Sequence, residues 1–158
     1  MLKKYLLAFL ISMIPLVELR GAIPIATVAY GLDYWTSLLV CVIGNMLPVP
    51  VIYVFARKVL EWGRDKKYIG KFFTYCIEKG EHGGRRLEKR AGRGGLFLAL
   101  MLFVGIPLPG TGAWTGTLAA SFLNMGFRAT TLAVSIGVVI AGIIMGVVSF
   151  TGIHVFGL

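Results

Sequence analysis

The chain has 158 residues, 57% of them hydrophobic, with a mean hydropathy of +0.82. A single soluble domain of this length could not bury that much apolar sequence, so the composition excludes an ordinary soluble protein and indicates a membrane protein. The net charge is +9, and residues 57–93 carry +7 of it through twelve basic and five acidic residues. We expect this basic segment to stay on the cytoplasmic side of the membrane, and we do not expect it to bind nucleic acid.

The first predicted element is an apolar N-terminal stretch that two opposite charges interrupt. Glu18 and Arg20 stand between the uncharged segments 5–17 and 21–32. Each segment is too short to cross about 30 Å of hydrocarbon at a rise of about 1.5 Å per residue. Charges at that depth persist mainly where they face protein or a water-filled cavity, so the pair predicts a polar pocket.

Pro15, Gly21 and Pro24 bracket the two charges. They favour a re-entrant hairpin of two short helical arms, and a single kinked helix across residues 5–30 is the alternative. The hairpin would leave the two N-terminal lysines outside, against the positive-inside rule, whereas the span would place them inside. No small-residue cleavage pattern follows the stretch, so we expect it to be part of the fold and not a signal peptide.

The next element, Tyr34–Ala56, is long enough to span a membrane, with Asp33 as a predicted helix cap. Asn45, Pro48 and Pro50 interrupt it. The prolines remove backbone hydrogen bonds, which indicates either a simple kink or a kink that opens towards the polar pocket.

The basic segment that follows predicts two elements. Aromatic and aliphatic residues at helical spacing indicate an amphipathic helix over Val59–Cys76 on the cytoplasmic surface. Glycines and arginines indicate a mobile loop over Gly80–Gly95. Cys41 and Cys76 belong to an apolar span and to the basic segment respectively, so we expect no disulfide and no metal site.

The last third of the chain repeats the order of the first. Leu96–Ile106 and Ala113–Leu123 predict two short arms around a break at 107–112, and a final span begins at Arg128. Its small residues are at Ala133, Gly137, Ala141, Gly142 and Gly146. They predict close helix packing and, with so thin a bundle, a homo-oligomer.

An offset of 91 residues aligns Gly21 with Gly112 and Asp33 with Asn124. Corresponding broken segments in two inverted halves point to a binding site at the membrane midplane. We therefore predict an all-α polytopic membrane protein, an inverted repeat of re-entrant hairpin plus transmembrane helix, with a cytoplasmic amphipathic helix between the halves. It would form one membrane domain over residues 1–158, divided into 1–58, 59–94 and 95–158.

Two segments, Glu18–Pro24 and Pro107–Gly116, resemble the signature segments of the putative small multidrug export proteins, a bacterial and archaeal family distantly related to the DedA (VTT-domain) membrane proteins. The resemblance implies two re-entrant hairpins, each followed by a membrane helix. It also implies DedA-like movement of lipids such as undecaprenyl phosphate, linked to protons, with Arg57 and Arg128 as head-group arginines. The second hairpin has no acidic residue, which departs from the DedA pattern.

The residues of the two breaks allow two kinds of role. Glu18 could carry a proton during transport, or it could hold the turn by pairing with Arg20 or with free backbone amides. Arg20 could clamp a phosphate or carboxylate, or reach the interface. The amides of Gly110, Thr111 and Gly112 could attract an anion, or the glycines could only let the hairpin tips touch. The predicted pathway comprises Glu18, Arg20, Gly21, Pro24, Asn45, Pro107, Pro109, Gly110, Thr111, Gly112, Trp114 and Thr115.

We therefore expect a multi-pass transporter of the cell membrane that moves a small amphiphile or a lipid-phosphate head group, coupled to protons through Glu18. A small-cation or multidrug exporter and a structural membrane protein without transport are the alternatives. We do not expect an enzyme, because His82 and His154 lack metal-binding spacing and no nucleophile motif is present. We expect membrane lipids as partners and no cofactor.

Overall fold

The computed structural model describes residues 1–15, 17–66, 70–108 and 110–156. Within these ranges the chain is helical and has no strand, as the sequence predicts. The helices are α1 (Leu2–Met13), α2 (Glu18–Pro24), α3 (Tyr34–Met46), α4 (Pro48–Arg64), α5 (Gly70–Gly105), α6 (Ala113–Phe122) and α7 (Phe127–Phe156), and a π-helical turn, Ile25–Ala29, extends α2.

The N-terminal third reverses direction between α1 and α2. Ile14 is extended (φ −71°, ψ 125°), the conformation that the following Pro15 favours, and it ends α1. The ammonium of Lys4 donates to the carbonyl of Tyr30 at 3.0 Å. A continuous helix would separate these two residues by about 39 Å, so residues 5–30 do not form one rod.

The C-terminal end of α5 and α6 also lie side by side with opposite directions. A methyl group on Gly116 of α6 would lie 2.5 Å from a side-chain atom of Val104 and 3.5 Å from one of Leu100. Further along, a methyl group on Gly84 would lie 2.4 Å from the carbonyl oxygen of Leu123. The predicted end of the first arm and both ends of the second are confirmed to within a residue, whereas the start predicted at Leu96 is wrong, because α5 begins at Gly70.

Two segments are long and apolar enough to cross a membrane, judged by length and composition. They are Tyr34–Arg64, which contains an 18-residue stretch with a mean hydropathy of 2.2, and Phe127–Gly152, which contains one with a mean hydropathy of 2.5. The first joins α3 to α4 through Leu47, which keeps helical angles (φ −61°, ψ −40°) directly before Pro48. Pro48 at the first position of α4 needs no donor of its own, so it is tolerated there.

Aromatic pairs at both ends fix the relative direction of these two segments. The rings of Tyr34 and Phe150 lie 5.7 Å apart at one end, and those of Tyr53 and Phe127 lie 5.5 Å apart at the other. Tyr34 begins the first segment and contacts Phe150 near the end of the second, whereas Tyr53 lies later in the first segment and contacts Phe127 at the start of the second. The two segments therefore run antiparallel.

Large apolar side chains cover the outside of the molecule, among them Val51, Phe55, Leu132 and Val147, each at least 59% exposed. The interior is mainly apolar, but it also holds polar side chains, including Ser12, Glu18, Asn45, Thr117 and Thr130. An exterior of large apolar side chains is what a hydrocarbon solvent favours.

The small residues of α7 are covered within the chain itself. A methyl group on Gly137 would lie 2.7 Å from the carbonyl of Met101, and one on Gly142 would lie 2.3 Å from Leu38. The close approach predicted for this face is therefore made by neighbouring helices of the same chain. The predicted homo-oligomer stays a prediction and loses this support.

Two predictions about the basic segment are wrong. The helix predicted over Val59–Cys76 is divided, because α4 ends at Arg64 and α5 begins at Gly70; the intervening 67–69 lie outside the described residues. The loop predicted over Gly80–Gly95 is instead part of α5, interrupted at Gly92 (φ 70°, ψ 176°). The charged residues between the glycines are good helix formers, and Gly84 serves close packing against Leu123.

Candidate functional site

The segment between α5 and α6 is a helix break, with backbone groups on both sides that lack helical partners. α5 ends at Gly105 and α6 begins at Ala113, and the described residues between them, 106–108 and 110–112, are not helical. The end of α5 leaves carbonyl groups without helical partners, and the start of α6 leaves N–H groups without them. Where such groups are removed from water, other groups of the protein must satisfy them.

Glu18 satisfies the start of α6. Its side chain accepts from the backbone N–H of Ala113 at Oε2 and of Trp114 at Oε1, both at 3.1 Å, and only 5% of the residue is exposed. A methyl group on Gly112 would lie 1.6 Å from Oε2, so any larger residue would have to displace the carboxylate. Glu18 itself has a positive φ of 51°, a conformation that costs an L-residue about 1–2 kcal/mol.

Arg20 satisfies the end of α5. Its guanidinium donates to the carbonyls of Val104 (3.3 Å), Ile106 (3.4 Å) and Leu108, and to the hydroxyl of Thr111 (3.0 Å). That hydroxyl in turn lies 2.9 Å from the carbonyl of Ile106 and can donate to it. The guanidinium of Arg20 therefore donates to three of the carbonyl groups that have no helical partner at the break.

We call Glu18, Arg20 and the break 106–112 the acid–base clamp. The carboxylate lies at the positive end of α6 and the guanidinium at the negative end of α5, which is the favourable choice at both helix ends. Within the described part of the chain the two side chains make no ion pair with each other. Of the two structural roles considered for Glu18, capping of free amides is the one present.

Trp114 makes a second connection between the two hairpins. Its indole N–H donates to the carbonyl of Met13, the last residue of α1, at 3.2 Å. Thr115 does not reach the first hairpin through its hydroxyl, which lies 2.8 Å from the carbonyl of Gly110 in its own loop. Glu18 thus caps the start of α6 and Arg20 caps the end of α5, while Trp114 of α6 caps the end of α1.

A narrow crevice adjoins the clamp, lined among others by Glu18, Arg20, Asn45 and Gly112, and it is too tight to admit a water molecule. The Oδ1 atom of Asn45 is buried and accepts no hydrogen bond from any residue that the structure describes. In the same described ranges, buried hydroxyls of Ser37, Thr117, Ser121, Thr130 and Thr131 also lack partners. The interior that contains the crevice therefore includes several buried side-chain oxygen atoms that could still form hydrogen bonds.

The remaining predicted pathway residues lie around the clamp without contributing side-chain contacts to it. Gly21 and Pro24 lie on α2, where a methyl group on Gly21 would approach Val17 to 2.5 Å. Pro107 is half-buried in the break, and Gly110 is exposed with a φ of 82°. Pro109 lies outside the described residues.

The two predicted head-group arginines are remote from the crevice, at the basic end of the molecule. Arg57 donates to Glu61 at 3.3 Å and to the side chain of Asn124. Arg128 lies on the first turn of α7 and lines a separate cavity. The structure does not bring either residue to Glu18.

Sequence reasoning missed the acceptors that matter most in the clamp. The carbonyls of Met13, Val104, Ile106 and Leu108 are backbone groups, and residue type carries no signal for them. The signal that does exist is the break itself, because every interrupted helix at membrane depth needs partners. No group of three or more His, Cys, Asp or Glu able to hold a metal occurs in the described ranges.

Comparison with known families gives one match. The family model described as Putative small multi-drug export protein matches residues 18–144, which begin at the clamp carboxylate and include both hairpin tips. Neither a curated protein nor a solved structure matches the chain.

Proposed function

Because the chain belongs to the Putative small multi-drug export protein family, we propose that it is a cell-membrane transporter that exports a small amphiphile with an anionic head through the acid–base clamp. The observation that carries the proposal is that two opposite charges, the buried Glu18 and the half-buried Arg20, bind the two ends of one helix break. Charged side chains at membrane depth mark transport pathways more often than they serve stability alone. The family description names export and supports the same class of function.

In the proposed membrane arrangement, two hairpins re-enter from opposite sides and meet at the clamp, as an inverted repeat. Three observations support it: the contact between Lys4 and Tyr30 across the first hairpin, the antiparallel long segments, and the 91-residue offset between Gly21 and Gly112. The basic end, which includes Arg57 and Arg128, would face the cytoplasm.

The crevice is closed in this conformation, so transport requires the clamp to open. Moving Glu18 away from α6 would free the amides of Ala113 and Trp114, beside the guanidinium of Arg20. A helix N-terminus next to an arginine is a favourable place for a phosphate or carboxylate head. Protonation of Glu18 would weaken its two bonds, and this is our proposal for the coupling step and for DedA-like movement of lipid-phosphate head groups.

A small-cation exporter is the second candidate, and Asn45 is the observation that favours it. Its buried Oδ1 lines the same crevice as Glu18 and has no donor in the described part of the chain. A carboxylate and an amide oxygen together would suit a cationic substrate. A structural protein without transport is the third candidate, since the clamp contacts already satisfy both helix ends.

Flux across liposomes separates these candidates. The full chain would be reconstituted, and the flux of two fluorescent amphiphiles, one bearing a phosphate and one a quaternary ammonium, would be measured with and without a pH gradient. Glu18→Gln and Arg20→Gln would be compared with Glu61→Gln and Arg90→Gln, which change exposed residues outside the clamp. Thermal unfolding in detergent would establish that each variant folds.

For an anionic substrate we expect Arg20→Gln to lower the flux at least about tenfold, whereas Glu18→Gln should mainly abolish its dependence on the pH gradient. A cation exporter would give the reverse order, with Glu18→Gln as the more damaging change. Equal flux in empty and protein-containing liposomes, for both probes, would contradict transport and leave the structural candidate.

A further inference from the structure

A second opening in the described part of the chain, apart from the crevice, is a cavity of about 570 Å³ at the basic end. It lies between α5, the connection from α6 to α7, and the first turn of α7. Glu18 is at the opposite end of α6, which has ten residues and is therefore about 15 Å long. The cavity is thus separate from the acid–base clamp.

The backbone is shaped around this cavity. Gly84 brings α5 against the carbonyl of Leu123, where any larger residue would collide. Asn124 has a positive φ of 57° and turns the chain towards α7, with its side chain held by Arg57. Gly92 interrupts α5 just before Arg93, which lines the cavity.

The lining carries a guanidinium that has no partner within the described residues. Arg85, Arg93 and Arg128 line the cavity, and Glu88 is the carboxylate that the described lining contains. Arg93 pairs with that carboxylate at 3.0 Å. Arg128 makes no hydrogen bond or ion pair with any residue that the structure describes. The guanidinium of Arg128 therefore favours an anion, and a guanidinium can bind phosphate or carboxylate with two parallel bonds.

The start of α7 adds backbone donors to the same wall. The first helical bond of α7 runs from the N–H of Thr130 to the carbonyl of Gly126, at 3.0 Å. The N–H groups of the three residues before Thr130 therefore have no helical acceptor, and two of those residues, Arg128 and Ala129, line the cavity. The positive end of a long helix thus coincides with the arginine cluster.

The rest of the lining is apolar. Leu96, Leu123 and Met125 form a wall next to the charged side chains. We propose that this cavity binds an amphiphile whose oxyanion head, a phosphate or a carboxylate, lies between Arg85, Arg93 and Arg128 while its apolar part lies on this wall. Binding at this site does not depend on transport, so it can be tested independently of the proposed function.

Binding to the purified full chain tests the proposal. Thermal unfolding in a zwitterionic detergent would be followed against inorganic phosphate, dihexanoyl phosphatidic acid and dihexanoyl phosphatidylcholine. The first probe carries the oxyanion alone, the second adds acyl chains, and the third has the same chains with a neutralised head. These three arms distinguish a free oxyanion from an anionic amphiphile.

Two kinds of variant test whether binding takes place in this cavity. Arg128→Gln removes a lining charge, and Arg86→Gln removes a neighbouring exposed charge that does not line the cavity. Ala129→Trp fills the space and keeps every charge. The exposed position of Arg128 makes a folding defect in its variant a minor concern, and the unfolding curve without ligand checks it.

We expect phosphatidic acid to bind more tightly than either other probe, with affinity lost about tenfold or more in Arg128→Gln and in Ala129→Trp, and changed less than about twofold in Arg86→Gln. Equal losses in Arg128→Gln and Arg86→Gln would overturn the site in favour of diffuse attraction. Equal binding of inorganic phosphate and phosphatidic acid would overturn the assignment of an amphiphile, and no binding of any probe would overturn the whole inference.

Discussion

The tip of the first hairpin and the break of the second differ in the chemistry they bring to the same contact. The first supplies two charged side chains, Glu18 and Arg20, and the second, 106–112, supplies backbone groups and no charge. Each is incomplete alone, because buried charges and free backbone groups are both costly in hydrocarbon.

The largest expected effect comes from removing the fit between the hairpins. Gly112→Ala would drive a methyl group into the carboxylate of Glu18, so we expect a loss of about 3 kcal/mol in the free energy of unfolding. Thermal or denaturant unfolding in detergent measures it. Gly126→Ala is the matched control, since a methyl group there meets no atom within 4 Å.

A double mutant tells whether that loss arises from the clamp. In Glu18→Ala the obstructing carboxylate is absent, so adding Gly112→Ala should cost much less than it does in the unmodified chain. If Gly112→Ala is equally damaging in both backgrounds, the comparison fails, and the loss must come from the backbone of the loop and not from the contact with Glu18.

A smaller effect is expected for the contact that runs the other way, from the second hairpin to the first. Trp114→Phe keeps an aromatic side chain but removes the five-membered ring, with the indole N–H that donates to the carbonyl of Met13, and the loss of this bond should cost about 1 kcal/mol of unfolding free energy. Trp35→Phe, at a position 70% exposed, serves as the control. Equal stability of Trp114→Phe and the unmodified chain would mean that only the charged contacts hold the tips together.

The smallest effect concerns the residues that follow each hairpin. Asp33 accepts from the backbone N–H of Thr36 at 2.8 Å and from its hydroxyl, and these bonds lower the pKa of Asp33. Its counterpart, Asn124, does not titrate. The stabilisation by Asp33 is present above the pKa of the unfolded chain, about 3.9, and is lost as the pH falls through the lower folded value.

The variant Asp33→Asn isolates this pH dependence. Between pH 7 and pH 2, we expect the midpoint of unfolding to fall slightly more in the unmodified chain than in Asp33→Asn, because only the former loses a charged cap. Other carboxylates titrate equally in both proteins, so the difference reports Asp33. Identical pH profiles of the two proteins would contradict a stabilising contribution of the charged Asp33 cap.

Sequence patterns predicted the elements well where local chemistry decides them. Pro15 and Pro107 placed the two interruptions, Asp33 is the helix cap that was expected, and the helix ends on both sides of the second break were located to within a residue. Helix-breaking and capping depend on neighbours in the chain, so a sequence records them directly.

Sequence patterns gave wrong predictions at glycines, because a glycine can either make the chain flexible or allow close packing. Gly84 was interpreted as a sign of a mobile loop, yet it lies in α5 because the carbonyl of Leu123 needs the space. The small residues of α7 were interpreted as an oligomer surface, yet they pack inside the chain. A glycine that provides flexibility and a glycine that permits close approach look the same in sequence, and only the neighbour distinguishes them.

The sequence by itself determined that this chain is helical, that its length allows two long apolar segments, and that an acid and a base interrupt its N-terminal apolar stretch. Only the tertiary structure decided what Glu18 and Arg20 contact, because their partners are backbone amides and carbonyls more than 80 residues away. Backbone groups are the same in every residue, so no pattern of side chains can identify which of them a fold will leave unpaired.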